Sequence, residues 1–478
     1  MAVLEHLEPK KVFSFFEQLC AVPHGSRNTK MISDWLVAFA EARGLEHYQD
    51  EVNNVIIIKE ATPGYENAAP VIFQGHMDMV CEQAPGCAKD MAAEGLDLVL
   101  DGDFVRAEGT TLGGDDGIAV AFALAILDAD DIDHPRFEAV FTVDEEIGME
   151  GAAVIDVSQL RGRRMLNMDS ENEGVFTVSC AGGNLTRCTL PVERAEFAGE
   201  RLTVAVEGLI GGHSGVEIDK GRANANLLLG RVLYALSRET ALRIVSVGGG
   251  LKDNAIPVHA EAEIAAADGE AARAVCARLE AAFRKEFCVT DPGVTVRVSA
   301  GGDGLPMDAA STGRVLCLLT CTPNGIQTMS ADIEGLVQTS LNLGILSTDE
   351  TGVQASYCVR SSVETQKQML VDRLRCLTET LGGELTVSGD YPGWEYLQES
   401  PLRDLMTAVY TEQYGSAPRI EAIHAGVECG MFAGKLPGLD CVSFGPDLFD
   451  IHTFRERMPV SSVQRTWKLV LEVLKRMK

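Results

Sequence analysis

The chain has 478 residues, a formal net charge of −29 at pH 7 and a pI of about 4.7. This length exceeds the size at which one hydrophobic core stops growing, so we expect two or more domains. A surface this acidic repels phosphate backbones and anionic lipids, which argues against nucleic acid and membrane partners.

Hydrophobic residues make up 46% of the sequence and the mean hydropathy is +0.05, which is enough apolar material for a large core. No run approaches the roughly 20 apolar residues that a membrane span needs. Residues 1–23 lack a basic start followed by an apolar run, so we expect no signal peptide. The cysteines form no C-x-x-C pair, which favours reduced thiols and a cytoplasmic protein.

The first part of the chain predicts alternating helices and strands. Apolar residues at helical spacing predict helices over 9–19 and 30–43, and an almost entirely apolar helix over 118–127. The predicted strands are short apolar runs at 54–59, 71–74, 139–143 and 165–168. Continuous apolar strands separated by helices are typical of a mostly parallel sheet covered on both faces, so we predict an α/β domain.

The pattern changes near Gly182. Elements predicted from 201 to 298 follow the order β-α-β-β-α-β of a ferredoxin-like split unit, and a similar series recurs from 312 to 388. The rhythm of the first part returns at Pro401. We therefore predict one α/β domain formed by residues 1–180 and 396–478, interrupted by an inserted α+β domain at 181–395 with a degenerate internal repeat.

Five acidic or histidine-containing segments each follow a predicted strand or open a predicted helix. They are GHMDMV at 75–80, LGGDDG at 112–117, FTVDEEIG at 141–148, LNMDS at 166–170 and FDIHT at 449–453. Ligands of an open α/β sheet bind beyond the carboxyl ends of its strands, so we expect these segments to meet in one crevice. Singly, such segments are most often helix caps or solvated faces; five of them in this order predict a site.

Two histidines and three carboxylates in one crevice hold more negative charge than they can leave unneutralised. A pair of divalent cations solves this problem, with one carboxylate bridging and one histidine plus one carboxylate on each ion. Mixed nitrogen and oxygen ligation with open positions suits catalytic zinc better than magnesium or calcium. Mn²⁺ or Co²⁺ could occupy the same ligands.

The order of these segments resembles the aminoacylase and carboxypeptidase-like clan of dinuclear zinc peptidases. Within that clan the chain is most similar to the bacterial aminoacyl-histidine dipeptidases, the peptidase D group. The likeness extends along the whole chain, including HAGVECG at 424–430 and NAIP at 254–257. It implies a zinc-peptidase catalytic domain with an inserted lid, and hydrolysis of dipeptides, led by Xaa-His and carnosine-like substrates.

The resemblance also implies a role for each ligand. His76 and Asp169 would bind one zinc ion, and Glu146 and His452 would bind the other. Asp115 would bridge both ions. These five residues are the predicted metal ligands.

Three further residues are implied to act in catalysis. Asp78 would orient the imidazole that lies two residues before it, and Glu145 would be the general base that deprotonates a water shared by the ions. His213, in the glycine-rich segment GGHSG of the lid, would stabilise the oxyanion. The resemblance also implies a cis peptide between Asp115 and Asp116.

The resemblance also guides three substrate-binding predictions. Arg360 would clamp the free carboxylate, Asn254 would add a hydrogen bond, and the backbone around Gly426 would line the leaving-group pocket. No histidine lies between His259 and His424, so the second half of the lid has none. In dimeric relatives a lid histidine reaches the partner's site, whereas in single-chain relatives a duplicated lid takes the partner's place. Because the second half of this lid has no histidine, we expect a homodimer in which His213 acts in trans. An N-acyl amino acid deacylase, a tripeptidase and a non-catalytic metal-binding protein remain alternatives.

Overall fold

The computed structural model describes residues 3–478. These residues form two compact units. Unit 1 comprises the chain up to Ser179 together with Tyr396–Ala422 and Val427–Lys478, and unit 2 comprises Cys180–Glu395 and Ile423–Gly426.

The segment Ile423–Gly426 corrects the predicted boundary, since it lies within the range 396–478 that we assigned to the outer domain. Its contacts explain its place in unit 2. The Ile423 carbonyl accepts a hydrogen bond from Ala181 N, and the His424 Nε2 atom lies 2.7 Å from Ser340 Oγ. Gly426, a predicted substrate-binding position, therefore belongs to unit 2.

The first part of unit 1 alternates helices with short strands. Its elements are α1 (Lys10–Cys20), α2 (Lys30–Glu41), β1 (Glu46–Gln49), β2 (Val55–Lys59), β3 (Val71–His76), β4 (Leu98–Asp101), β5 (Phe104–Ala107), α3 (Gly114–Asp128), β6 (Phe137–Thr142), α4 (Glu150–Val154), β7 (Arg164–Asn167) and β8 (Val175–Cys180).

Unit 2 carries longer strands and four helices of thirteen to eighteen residues. Its elements are β9 (Gly182–Leu190), β10 (Glu200–Glu207), β11 (Gly212–His213), α5 (Ala225–Glu239), β12 (Leu242–Gly249), β13 (Ala255–Ile256), β14 (Ala260–Ala266), α6 (Gly269–Glu286), β15 (Thr295–Ala300), α7 (Ala309–Cys321), β16 (Gly325–Met329), β17 (Val337–Thr348), β18 (Val353–Ser361), α8 (Glu364–Thr380) and β19 (Glu384–Tyr391). The chain ends with α9 (Pro401–Tyr414), β20 (Arg419–Ile423), α10 (Glu428–Lys435), β21 (Asp440–Ser443), β22 (Arg457–Pro459) and α11 (Val460–Arg476).

The main sheet of unit 1 has the strand order β1-β2-β6-β3-β7-β21-β8-β20. Its central strands β6, β3, β7 and β21 are parallel, whereas β1, β2 and β8 join antiparallel at the flanks. Every residue of β3 and β6 is buried, as expected for central strands covered on both faces. The predicted α/β class is confirmed, and parallel pairing is confined to the centre of the sheet.

The sheet of unit 2 is antiparallel throughout the pairs between its long strands, in the order β15-β10-β14-β12-β17-β18-β9-β19. Strands β10, β12, β14 and β15 have the ferredoxin-like order 4-1-3-2. Strands β9, β17, β18 and β19 repeat this order, and β12 pairs with β17 to join the two halves. Each half buries apolar residues of its strands against its helices.

Across residues 3–478, the structure contains no helix with the length and hydropathy needed to span a membrane.

Candidate active site

The predicted ligands of unit 1 lie at the carboxyl ends of three adjacent parallel strands. His76 is the last residue of β3, Glu146 follows β6 by four residues, and Asp169 follows β7 by two. Since parallel strands end at the same edge of a sheet, the chain order brings these side chains to one crevice. Asp115 enters from the start of α3 and His452 from the loop before β22.

Asp115 lies between the two histidines. Its Oδ1 atom is 3.2 Å from His76 Nε2, and its Oδ2 atom is 3.2 Å from His452 Nε2. Each imidazole also faces a second carboxylate: His76 Nε2 is 3.7 Å from Asp169 Oδ1, and His452 Nε2 is 3.0 Å from Glu146 Oε2. The structure thus brings all five predicted ligands together, in two groups that share Asp115.

The donor set fits two divalent cations. Ligand atoms of His76, Asp115 and Glu146 all lie within 4.8 Å of one another, and the same holds for His76, Asp116 and Asp169. Glu146 Oε1 is buried and has no hydrogen-bond partner among the described residues. A buried carboxylate oxygen without a donor is an unfavourable arrangement unless a cation occupies the remaining position.

The electrostatics of this cluster favour positive charge. Burial would lower the pKa of His76, but hydrogen bonds to Asp115 and Asp78 raise it well above its usual value. Hydrogen bonds to Asp115 and Glu146 raise the pKa of His452 to about 10. Burial opposes ionisation of Asp115, yet the two imidazoles hold the pKa of this carboxyl well below its usual range.

Asp78 and Glu145 stand beside the ligands. The Asp78 carbonyl lies 3.0 Å from His76 Nδ1, and Asp78 Oδ1 lies 3.5 Å from the same nitrogen. The imidazole therefore presents its Nε2 atom to the carboxylates. Glu145 N donates to Asp78 Oδ1 at 3.1 Å. Burial raises the pKa of Glu145 to about 7, with the charges of Glu146 and Asp115 adding to the effect and His76 opposing it.

Two residues that form hydrogen bonds to the site were not predicted from the sequence. Ser26 Oγ donates to Asp78 Oδ2 at 2.8 Å, and Glu456, four residues after His452, accepts hydrogen bonds from the backbone that leads into Asp115. A lone serine in a loop carries no recognisable pattern, whereas Glu456 could have been suspected because it lies only four residues after a predicted ligand. The Asp115–Asp116 peptide is cis, as predicted.

His213 lies in unit 2 on β11, paired with Ala255 of β13. Its Nδ1 atom accepts hydrogen bonds from Gly215 N and Val216 N, both at 3.2 Å. Burial and the charge of Arg360 lower the pKa of His213. A neutral imidazole whose Nδ1 is an acceptor carries its proton on Nε2, so His213 offers one N–H donor.

Arg360 lies on β18 and is 7% exposed. Its Nη1 atom donates to Tyr391 Oη at 3.1 Å, and its Nε atom is buried without a partner. Among the residues described, no carboxylate lies within 4.0 Å of this guanidinium, although other buried arginines such as Arg136 have one. A buried guanidinium without a carboxylate suits an anionic ligand group.

His424 lies near Arg360, because its partner Ser340 is the cross-strand neighbour of Arg360. Burial and the charge of Arg360 lower the pKa of His424 to about 3. Asn254 is exposed and its carbonyl accepts from Ser214 N, one residue from His213. All predicted ligands, Asp78 and Glu145 belong to unit 1. The other four predicted site positions belong to unit 2: His213, Asn254, Arg360 and Gly426.

Comparison with known proteins identifies the family. Residues 72–476 match Peptidase family M20/M25/M40. The chain is 35% identical to the cytosol non-specific dipeptidase of Escherichia coli (strain K12) over 480 residues, covering 99% of each protein. Its structure is similar to that of the aminoacylhistidine dipeptidase from Vibrio alginolyticus, with a TM-score of 0.93, 33% identity and coverage of 99% of this chain and 97% of that chain. Aminopeptidase PepT from Bacillus cereus shares the fold, with a TM-score of 0.57, 16% identity and coverage of 98% and 99%. The chain belongs to peptidase family M20/M25/M40.

Proposed function

We propose that this protein is a cytosolic, metal-dependent dipeptidase that holds two divalent cations, Zn²⁺ by preference. The observation that carries the proposal is the placement of Asp115, whose two oxygens each lie 3.2 Å from a different imidazole. Since Asp169 lies beside His76 and Glu146 lies beside His452, His76 and Asp169 would hold one cation, Glu146 and His452 would hold the other, and Asp115 would be shared.

The names of the two similar proteins support the substrate class. Both are dipeptidases, one from the cytosol of Escherichia coli and one named for aminoacylhistidine substrates, and both match the chain over nearly its whole length. We therefore expect dipeptides as substrates, with Xaa-His and carnosine-like dipeptides first.

The cations, when bound, polarise the scissile carbonyl and acidify water. Glu145 is the residue that moves the proton, because it directly precedes the ligand Glu146 in the chain and its N–H group is held by Asp78 Oδ1 at 3.1 Å. From this place it can accept a proton from water and return it to the leaving amine. Asp78 keeps the His76 ring in the orientation that directs Nε2 to the carboxylates.

Unit 2 supplies the groups for substrate recognition. The unpaired guanidinium of Arg360 is suited to the free carboxylate of a dipeptide, and the Nε2–H of His213 is suited to the developing oxyanion. Asn254 adds a hydrogen bond to the substrate. The backbone around Gly426 lines the pocket for the leaving group. A free-carboxylate clamp favours short peptides that end close to the scissile bond.

A homodimer with His213 acting across the interface is part of the proposal. It rests on the absence of histidine from the second half of the lid, between His259 and His424. Size-exclusion chromatography with light scattering at assay concentration tests it. A monomer that turns over dipeptides would contradict the trans arrangement and leave the dipeptidase assignment intact.

The decisive experiment is a hydrolysis panel on the chelated protein with and without added Zn²⁺, Mn²⁺ or Co²⁺. The panel contains dipeptides ending in His and in other residues, carnosine, tripeptides and N-acetyl amino acids. We expect metal-dependent cleavage of dipeptides only, led by Xaa-His. Cleavage confined to N-acetyl amino acids or tripeptides would replace the proposed substrate class, and unchanged hydrolysis after complete chelation would contradict the metal mechanism.

Asp115→Asn with Asp130→Asn as its control sharpens the same test. Asp130 is an exposed carboxylate of unit 1 outside the cluster. D115N should lose bound metal and hydrolysis together, while D130N should keep both.

A further inference from the structure

Glu456 is a buried carboxylate that the proposed chemistry does not use. It is 2% exposed and accepts hydrogen bonds from four consecutive backbone N–H groups. Its Oε2 atom accepts from Leu112 N at 2.7 Å and Gly113 N at 3.0 Å, and its Oε1 atom accepts from Gly114 N at 2.8 Å and Asp115 N at 3.3 Å.

These four N–H groups precede the regular turns of α3 and lack helical partners, because Asp115 and Asp116 have non-helical backbone angles and the first helical bond runs from Gly117 N to Gly113 O. The two glycines have different roles here: Gly113 adopts a left-handed backbone conformation, and Gly114 leaves room for the carboxylate. Gly113 has φ 66°, and a Cβ atom on Gly114 would lie 3.2 Å from Glu456 Oε1.

Glu456 also belongs to the segment that carries His452. Only three residues separate them, and Glu456 N donates to the Thr453 carbonyl at 3.1 Å. One side chain therefore joins the loop of His452 to the loop of Asp115, and the imidazole of the first loop lies 3.2 Å from the carboxylate of the second.

We propose that Glu456 is a positioning residue that fixes the bridging Asp115 relative to His452, and so sets the affinity of the cation pair. The inference rests on the proposed function, because it assigns those two residues as ligands. The arrangement requires a carboxylate. A glutamine offers one acceptor oxygen and turns an NH₂ group toward backbone donors, so it cannot receive all four N–H groups.

A purely structural cap would affect stability and leave metal binding unchanged. Glu138 separates the two roles. It is a fully buried carboxylate of β6 that accepts from Arg161 N at 3.0 Å, from Gly162 N at 2.9 Å and from Arg136 Nε at 2.8 Å. E138Q is therefore the control for E456Q: it makes the same chemical change at another buried carboxylate that binds backbone N–H groups, and its additional loss of the Arg136 ion pair should affect stability rather than metal binding.

The experiment compares wild type, E456Q, E138Q and E456D. Zn²⁺ affinity is measured by competition with a chromophoric chelator, alongside kcat, KM and thermal unfolding with and without metal. We expect E456Q to weaken Zn²⁺ binding about tenfold or more and to lower kcat with little change in KM. E138Q should lower the unfolding temperature while its Zn²⁺ affinity and kcat stay within about twofold of wild type.

Wild-type affinity in E456Q, or equal weakening in E138Q, would overturn the positioning role. If E456Q does not fold, E456D decides, since it keeps the charge but is too short to reach both Leu112 and Asp115. Unchanged Zn²⁺ affinity in a folded E456D would overturn the inference. The wild-type titration tests the proposed function separately: a wild type that binds no metal refutes both, whereas a normal wild type with unaffected variants refutes the inference alone.

Discussion

The two units surround their functional side chains with opposite charge. In unit 1, several partly buried carboxylates lie close together: burial raises the pKa of Asp169 well above its usual value, and carboxylates raise the pKa of His452 to about 10. In unit 2, a buried guanidinium lacks a carboxylate, and burial together with this charge lowers the pKa of His213 and His424.

The difference indicates what each unit accepts. The carboxylate cluster gains stability from cations, because each added positive charge relieves repulsion among buried anions. The cluster around Arg360 gains stability from an anion for the converse reason. The proposed dipeptidase activity would use both environments, the first for the reacting carbonyl and the second for the free carboxylate of the substrate.

Replacing Glu145 should give the largest loss of activity and tests the role proposed for the carboxylate cluster of unit 1. Glu145→Gln removes the proton acceptor but keeps the side-chain size, so we expect kcat to fall by about 10²–10⁴. The metal ligands are untouched, and the metal content should stay at the wild-type value by elemental analysis. Glu150→Gln, an exposed neighbour at the start of α4, serves as the control and should keep normal kcat. Normal turnover in E145Q would contradict its role as general base.

Replacing Arg360 tests the anion-binding role proposed for unit 2. A charge-assisted hydrogen-bond pair is worth about 1.5–3 kcal/mol, so Arg360→Met should lower kcat/KM for dipeptides by roughly 10–100-fold. The loss should vanish for dipeptide amides, which wild type should already cleave poorly. Arg187→Met replaces an exposed arginine of neighbouring β9 and should have no such effect. An equal loss on acids and amides would show that Arg360 does not bind the carboxylate.

The parts of the molecule that follow a simple periodicity could be predicted from the sequence. The segments of β3 and β6 are short, mostly apolar runs, which favour central strands, so His76, Glu145 and Glu146 could be placed at one sheet edge. The predicted helix 118–127 is the part of α3 that follows its first turn, since α3 begins at Gly114 and ends at Asp128. Its first turn is irregular, and helical periodicity cannot locate an irregular turn.

Residues that act through distant hydrogen bonds could not be found in this way. Ser26 is 52 residues from Asp78, and Glu456 is 341 residues from Asp115, so no local spacing links them. Glu456 follows Arg455 in a charged segment that looks solvated, yet it is 2% exposed. The same reason explains the misassigned Ile423–Gly426, whose place depends on pairing with Ala181 and Ser340 rather than on composition.

Because the pKa of His424 is lowered, the stability of unit 2 should decrease at acidic pH. The pKa of this histidine is lowered from 6.5 to about 3 in the folded protein by burial and Arg360. Below pH 6.5 the unfolded chain binds a proton that the folded chain does not, so unit 2 should lose up to about 1.4 kcal/mol per pH unit as the pH falls toward 3. Amide hydrogen exchange of β17 and β18 measures this local stability.

His424→Gln should flatten the dependence, while His259→Gln, at an exposed histidine of the same unit, should leave it unchanged. An identical slope in wild type and H424Q would exclude His424 as its source.

Replacing Ser26 should give the smallest loss of kcat and tests how the active site of unit 1 depends on the orientation of Asp78. Ser26→Ala removes one hydrogen-bond donor from Asp78 but leaves the Glu145 N–H on the other oxygen. Asp78 should therefore stay ionised, and the hydrogen bonding that fixes its orientation should weaken by about 1 kcal/mol. We expect kcat to fall about fivefold with KM nearly constant, and Ser26→Thr to restore it because the hydroxyl is retained. Ser33→Ala is the matched control, since Ser33 Oγ donates to the Asn53 carbonyl at 2.8 Å outside the site. S33A should lower stability but not kcat. If S26A and S33A lower kcat equally, the hydrogen bond from Ser26 contributes only to folding, and Asp78 is held in place by the strand end alone.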